Sequence, residues 1–391
     1  MMEKLYMESG WLSLNKMGEE LCGDRVECIN LENCYLMVLA DGLGSGVKAN
    51  ILSTLTSKII STMLANDMTI EECVETIANT LPVCSQRQVA YSTFTILQAF
   101  KTTGEVIITQ FDNPQVIILR DGKSIPYPME ERVIAGKKIQ ITHFQGQVGD
   151  LLLMMSDGTI HAGVGTVLNF GWQLPEIIEY AQRKYKPDLS ALSMAGIICD
   201  ACRDLYMDMP GDDTTVAALR IRRHREVNLM IGPPVDPAQD EEICRDFFAL
   251  PGKHIVCGGT TSTLVSRYLG QPVNPSIDYI DPKIPPIAFI KGVDLVTEGV
   301  ITLGRVVELA QKFVSSQDTD TPWRSSKDGA SLIARLLFEE ATKVELYVGR
   351  AINPAHQNPN LPLNLSLKLR LMEDLAALLE KMDKRVSLRY Y

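Results

Sequence analysis

Cys34-Tyr35-Leu36-Met37-Val38-Leu39-Ala40-Asp41-Gly42-Leu43-Gly44-Ser45-Gly46 is the stretch from which the fold can be read. Residues 34–40 are an unbroken apolar run, too short for a typical helix, and read as a buried strand. The strand ends at an aspartate followed by glycine, and Gly42, Gly44 and Gly46 supply a tight turn. Residues 47–65 then carry Ile51, Leu52, Leu55, Ile59, Ile60, Met63 and Leu64 at helical spacing, which predicts a helix laid over the sheet by its apolar residues.

The same grammar recurs on both sides. Leu151-Leu152-Leu153-Met154-Met155 reads as a strand running into Ser156-Asp157-Gly158, and Gly211-Asp212-Asp213 leads into a strand over 214–221. Upstream lies Gly23-Asp24. A single Asp-Gly pair is an ordinary turn signal. Four aspartates in series, each beside a glycine at a strand end or turn, suit a hard-oxygen site for Mg²⁺ or Mn²⁺.

Between these points the pattern predicts a helix over 69–81 and strands over 92–100, 105–111 and 115–120. Thr102-Thr103-Gly104 and Asp112-Asn113-Pro114 form the turns, and Asp121-Gly122 opens another. A strand over 138–143 and helices over 172–185 and 189–207 follow. Blocks of antiparallel strands and helices imply an α+β fold. The boundary falls near residues 222–226, giving domains 1–222 and 227–391. The second half alternates strand, glycine turn and helix: strands over 227–231, 254–257, 343–348 and 385–390, and helices over 240–250, 303–313 and 367–382. It reads as a smaller α/β domain.

Composition narrows the function. A formal net charge of -10 argues against nucleic acid or an anionic membrane surface as the main partner. The cluster Arg220-Ile221-Arg222-Arg223-His224-Arg225 reads as a solvated strand end and linker. No apolar run approaches the roughly 20 residues of a membrane helix, and the N-terminus lacks the pattern of a signal peptide. Nine cysteines without framework spacing suggest reduced thiols in a cytoplasm. Cys199 and Cys202 form a CxxC pair within a helix, where buried small side chains outweigh a zinc or redox role.

The series Cys22-Gly23-Asp24-Arg25, Ala40-Asp41-Gly42-Leu43-Gly44-Ser45-Gly46, Ser156-Asp157-Gly158 and Gly211-Asp212-Asp213-Thr214-Thr215 resembles the PP2C-type metal-dependent protein phosphatases. Within them it is most similar to the bacterial branch typified by the sporulation stage II protein E. The resemblance covers residues 15–222. It implies a β-sandwich flanked by helices, with two divalent cations, Mn²⁺ or Mg²⁺, at one end. By position, Asp41 would bridge both ions, Asp157 and Asp212 would complete one, and Asp24 with the Gly42 carbonyl the other. Asp213 stands where the family commonly has asparagine and is a second candidate ligand. The implied activity is hydrolysis of phosphoserine or phosphothreonine on a regulatory protein, such as a phosphorylated anti-sigma-factor antagonist, by a metal-activated water.

The chain departs from many eukaryotic members in having Leu43-Gly44 where a histidine soon follows the Asp-Gly. His161 could supply a proton or be a surface histidine; Arg25 and Lys48 could meet phosphate or be solvated cations. The helix after Gly46 could move to control the metals, as in the bacterial branch, or simply cover the sheet. A non-catalytic sensor is the rival reading, opposed by the presence of all four aspartates.

In the second half, Gly258-Gly259-Thr260-Thr261-Ser262 could present N–H groups and hydroxyls to an anion, with Thr297-Glu298-Gly299 beside it. Turn chemistry with a helix cap explains the same residues. Residues 317–329 read as a loop. Residues 350–362, with His356, could form a partner or homodimer surface or a structured loop.

Overall fold

The strand at residues 34–42 is apolar up to Asp41 because both of its faces are covered. Leu36 and Val38 pack into one core, Met37 and Leu39 into the opposite one, and all are buried. The structure is a computed structural model describing residues 4–80, 92–276, 284–315, 322–351 and 363–391. The chain forms two compact units, Met1–Arg223 and His224–Tyr391.

The first unit runs β1 (Tyr6–Leu14), β2 (Asp24–Asn30), β3 (Cys34–Gly42), α1 (Gly46–Ala65), α2 (Ile70–Thr80), β4 (Ser92–Phe100) and β5 (Glu105–Phe111). Then come β6 (Ile117–Arg120), β7 (Lys123–Ser124), β8 (Glu130–Ile134), β9 (Lys137–Gln145) and β10 (Leu151–Met155). It closes with α3 (Asp157–Ile160), α4 (Leu174–Lys184), α5 (Ala191–Leu205) and β11 (Thr214–Arg222). Two antiparallel sheets, ordered β2-β3-β4-β5-β9-β8 and β1-β11-β10-β6-β7, enclose a core of Met37, Leu39, Leu97, Ile108, Leu152, Met154 and Leu219. Alternate residues of the second sheet, Leu151, Leu153 and Met155, pack with Ile177 of α4 and Met194 and Ile198 of α5. Leu36, Val38 and Ile96 pack with Ile60 of α1 and Val74 of α2. The result is an αββα sandwich.

α1 buries Leu52, Ile60 and Leu64 of its apolar set, but only part of the face that its apolar spacing predicts. Val47, Ile51 and Leu55 are 63%, 53% and 46% exposed, while Ala49, Ser53, Thr56, Ser57 and Ser61 face the sheet and are inaccessible. Small side chains let the helix approach closely: a Cβ on Gly42 would lie 2.1 Å from the Ala49 carbonyl oxygen. The hydroxyls of Ser53, Ser57 and Ser61 donate back to the carbonyls of Asn50, Thr54 and Lys58, so their burial leaves no donor unmet.

The basic cluster at the end of β11 is also not uniformly solvated. Arg220 and Arg222 are buried. Arg222 pairs with buried Glu8 at 2.7 Å, and Arg220 donates to the Pro187 carbonyl at 2.6 Å and to that of Leu189. Cys199 and Cys202 lie buried in α5, where burial raises both thiol pKa values.

The second unit contains β12 (Glu226–Ile231), α6 (Asp240–Phe248), β13 (Lys253–Cys257), α7 (Gly259–Leu269), β14 (Asn274–Pro275), β15 (Ala288–Phe289) and β16 (Leu295–Thr297). It continues through α8 (Val300–Ser315), α9 (Gly329–Ala334), a π-helical stretch (Arg335–Glu340), β17 (Lys343–Val348), α10 (Leu363–Lys381) and β18 (Arg385–Tyr390). Its sheet is ordered β14-β15-β16-β13-β12-β17-β18, with β16, β13, β12, β17 and β18 parallel. Leu229 and Leu346 face α8, α9 and α10; Met230 and Val256 face α6 and α7. This is an α/β domain, as its alternation predicts. Of the two segments read as irregular, residues 317–321 and 352–362, including His356, lie outside the described residues. No helix among the described residues is long and apolar enough to cross a membrane.

Candidate metal centre

Antiparallel pairing of β2 with β3 sets Asp24 directly opposite Asp41. The Gly42 N–H donates to the Gly23 carbonyl at 3.1 Å, which fixes the two strand ends together. From the other sheet, β10 leads into Ser156, whose hydroxyl donates to Asp24 Oδ2 at 2.7 Å and accepts the Thr215 N–H at 2.8 Å. Asp157 begins the single turn of α3, and its carboxyl lies close enough to Asp41 to help raise that group's pKa. Asp212 approaches from the loop before β11; its donor oxygen, one from Asp157 and a ring nitrogen of His161 all lie within 4.8 Å of one another. Four separated chain segments thus converge at one end of the sandwich.

The glycines are there for space. A Cβ on Gly158 would sit 2.1 Å from the Asp213 carbonyl oxygen, and one on Gly23 would sit 2.7 Å from Asp213 Oδ2. Asp213 is buried against Gly23 and accepts the Lys16 backbone N–H at 3.0 Å. Asp212 instead reaches toward Asp157, with Lys16 Nζ 3.8 Å from its Oδ1. The doubled aspartate therefore divides: Asp212 joins the open cluster, and Asp213 lies behind it.

Crowding shapes the electrostatics. Burial holds the Asp24 carboxyl above the usual carboxylate range, with Asp213 and Asp157 adding repulsion against its hydrogen bonds. Burial, then the charges of Asp24, Asp157 and Asp212, raise Asp41. Asp212 is raised by burial and Asp157. Asp24 Oδ1 and Asp213 Oδ2 are buried and make no hydrogen bond. Buried carboxylate oxygens ordinarily have partners. Oxygen donors of this kind, crowded and with Lys16 as a neighbouring cation, fit divalent metal ions.

Residues 32–222 match the family model of the stage II sporulation protein E (SpoIIE). This segment is PP2C-type and SpoIIE-like. Among solved structures, the SpoIIE-like segment is similar to the PP2C phosphatase domain with a fragment of the regulatory domain of SpoIIE from Bacillus subtilis. That match has 19% identity and a TM-score of 0.49, covering 57% of this chain and 64% of that one, just under two thirds. RsbX in complex with magnesium matches at 19% identity and a TM-score of 0.40, covering 56% of this chain and 100% of that one. The catalytic domain of the phosphatase PstP in complex with two manganese ions matches at 14% identity and a TM-score of 0.38, covering 56% and 99%. No curated protein matches the chain.

Other residues singled out in the sequence separate clearly. Arg25 points to the opposite face of β2 from Asp24 and lies 4.0 Å from Glu27, which Lys58 of α1 also engages at 2.6 Å. Its place is a surface ion network. Lys48 is exposed on the first turn of α1. His161 does belong to the acidic end of the SpoIIE-like segment. Lys16 and Ser156 were not among the sequence candidates. Ser156 carried a signal, its position before Asp157-Gly158; Lys16, in an irregular loop, carried none.

In the second unit the hydroxyls read as ligand groups serve the fold. Thr261 Oγ1 accepts the Gly232 N–H at 2.8 Å, and Ser262 Oγ donates to the Gly258 carbonyl at 2.9 Å. Glu298 accepts the Ile301 N–H at 3.2 Å, within the first turn of α8.

Proposed function

We propose that the SpoIIE-like segment hydrolyses phosphoserine or phosphothreonine on a regulatory protein with the aid of two Mn²⁺ or Mg²⁺ ions. The convergence of Asp24, Asp41, Asp157 and Asp212 from four chain segments carries this reading. By position in the family pattern, Asp41 would contact both ions; Asp157 and Asp212 would hold one, Asp24 and the Gly42 carbonyl the other. When bound, the ions supply Lewis acidity toward the phosphoryl oxygens and activate a water as the nucleophile.

The chain's own residues give that site its shape. Ser156 fixes the orientation of Asp24 and ties it to β11. Lys16 anchors the Asp212-Asp213 turn through its backbone and side chain. Asp213 lies behind the ligands, with Asp24 as its charged neighbour. A cytoplasmic setting suits thiols kept reduced, and a phosphorylated anti-sigma-factor antagonist is the substrate type the family suggests. The second unit is proposed as a regulatory or ligand- and partner-binding domain, with homodimerisation one way it could act.

The test is phosphate release from a phosphoserine peptide by the full chain. Release that EDTA abolishes and added Mn²⁺ restores is expected. No release under Mn²⁺ or Mg²⁺ overturns the proposal.

A further inference from the structure

We infer that His161 is a nitrogen ligand of the ion held by Asp157 and Asp212, so that this half of the centre is not an all-oxygen site. The inference rests on the metal-centre reading and goes beyond its set of aspartates and a carbonyl. One turn of helix generates the arrangement. Asp157 opens α3, the His161 N–H donates to the Asp157 carbonyl at 3.0 Å, and the i,i+4 spacing lays the imidazole over the carboxylate. His161 Nδ1 is 4.0 Å from Asp157 Oδ2. Asp212, from a different part of the chain, closes the triangle, with all three donor atoms within 4.8 Å.

Separations of this size exceed those of donors on one ion at about 2.0–2.2 Å, so the three side chains would draw together slightly around it. The side chains of His161, Asp157 and Asp212 are 54%, 45% and 38% exposed, so an ion can reach them from solvent. Beside this triangle, Asp24 Oδ1, assigned above to the neighbouring ion, is buried without a hydrogen bond, as fits an oxygen that ligates a cation of the same centre. A neutral imidazole adds a donor without adding to the repulsion among carboxylates. It also sets a preference: imidazole suits first-row transition ions such as Zn²⁺, Fe²⁺ and Ni²⁺, whereas Mg²⁺ favours oxygen ligands and retains water.

Pulsed electron paramagnetic resonance of the Mn²⁺-loaded full chain reads this directly. Echo-envelope modulation from a directly bound ¹⁴N is expected in the wild type and absent in His161→Ala. Calorimetric titration should show Mn²⁺ affinity at least about tenfold weaker in that variant, with Mg²⁺ affinity little changed. Equal melting in EDTA would establish that His161→Ala folds. Saturating Mn²⁺ without nitrogen modulation overturns the ligand role and leaves the aspartate centre standing, as a histidine acting only as a proton donor requires. Equal Mn²⁺ affinities in the two proteins also overturn it. Absence of any Mn²⁺ binding overturns both readings.

Discussion

Asp41 illustrates how a site can oppose the stability of its own fold. Its carboxylate is buried among Asp24, Asp157 and Asp212, so without a cation the charged form is disfavoured. Asp41→Asn should therefore raise the stability of the metal-free protein by about 0.5–2 kcal/mol, measured by urea unfolding in EDTA, while abolishing stabilisation by Mn²⁺. A lower metal-free stability would contradict the crowding argument. Asp24 gives the pH dependence. Burial first, with repulsion from Asp213 and Asp157, raises its pKa from 3.8 to about 7. Between those values the folded state keeps a proton that the unfolded state has released, so metal-free stability should fall as pH rises. Unfolding in EDTA at pH 5 and pH 7.5 checks the sign, and Asp24→Asn should flatten the slope. These aspartates were legible because each sits beside a glycine at a strand end. Ser156 and Lys16 were harder to see because their roles depend on which distant segment lies opposite.

At the scale of elements, periodicity located α1 and its buried Leu52, Ile60 and Leu64, but not the small residues that share its buried face. The spacing of Ile51, Leu55, Ile59 and Met63 assumes that burial follows apolarity, whereas the short distance to the sheet selects Ala49, Ser53, Ser57 and Ser61. Ser57→Leu should cost about 1–3 kcal/mol by overpacking. Ile51→Ser and Leu55→Ser should each stay within about 0.5 kcal/mol. Thermal melts of the three variants decide, and the reverse order would return the helix to its apolar face. The short, polar β8 and the charged starts of β1 and β2 escaped a reading based on apolar runs; Glu8 is buried beside Arg222 of β11 and also accepts the Ala191 N–H. Glu8→Ala removes the carboxylate beside that buried guanidinium, leaving it its carbonyl partners such as Leu189, and should cost about 3–5 kcal/mol. A near-neutral melt would show the pair to be hydrated.

Across the whole molecule, the buried clusters fall cleanly to either side of the boundary at Arg223. None of them draws residues from both units. Residues 1–223 expressed alone should therefore fold and bind Mn²⁺ with the affinity of the full chain; loss of binding on truncation would show that the second unit completes the site. The α/β character of that unit was legible from alternating strands and glycine turns. Its ligand chemistry was not, because hydroxyls such as Thr261 and Ser262 look alike in sequence whether they face a ligand or, as here, their own backbone. The central claim concerns the aspartates and is tested most directly at Asp41. Under saturating Mn²⁺, Asp41→Asn should hydrolyse a phosphoserine peptide more slowly than wild type by more than the about 10–100-fold typical of outer-shell changes. Equal rates in the two proteins would contradict the account.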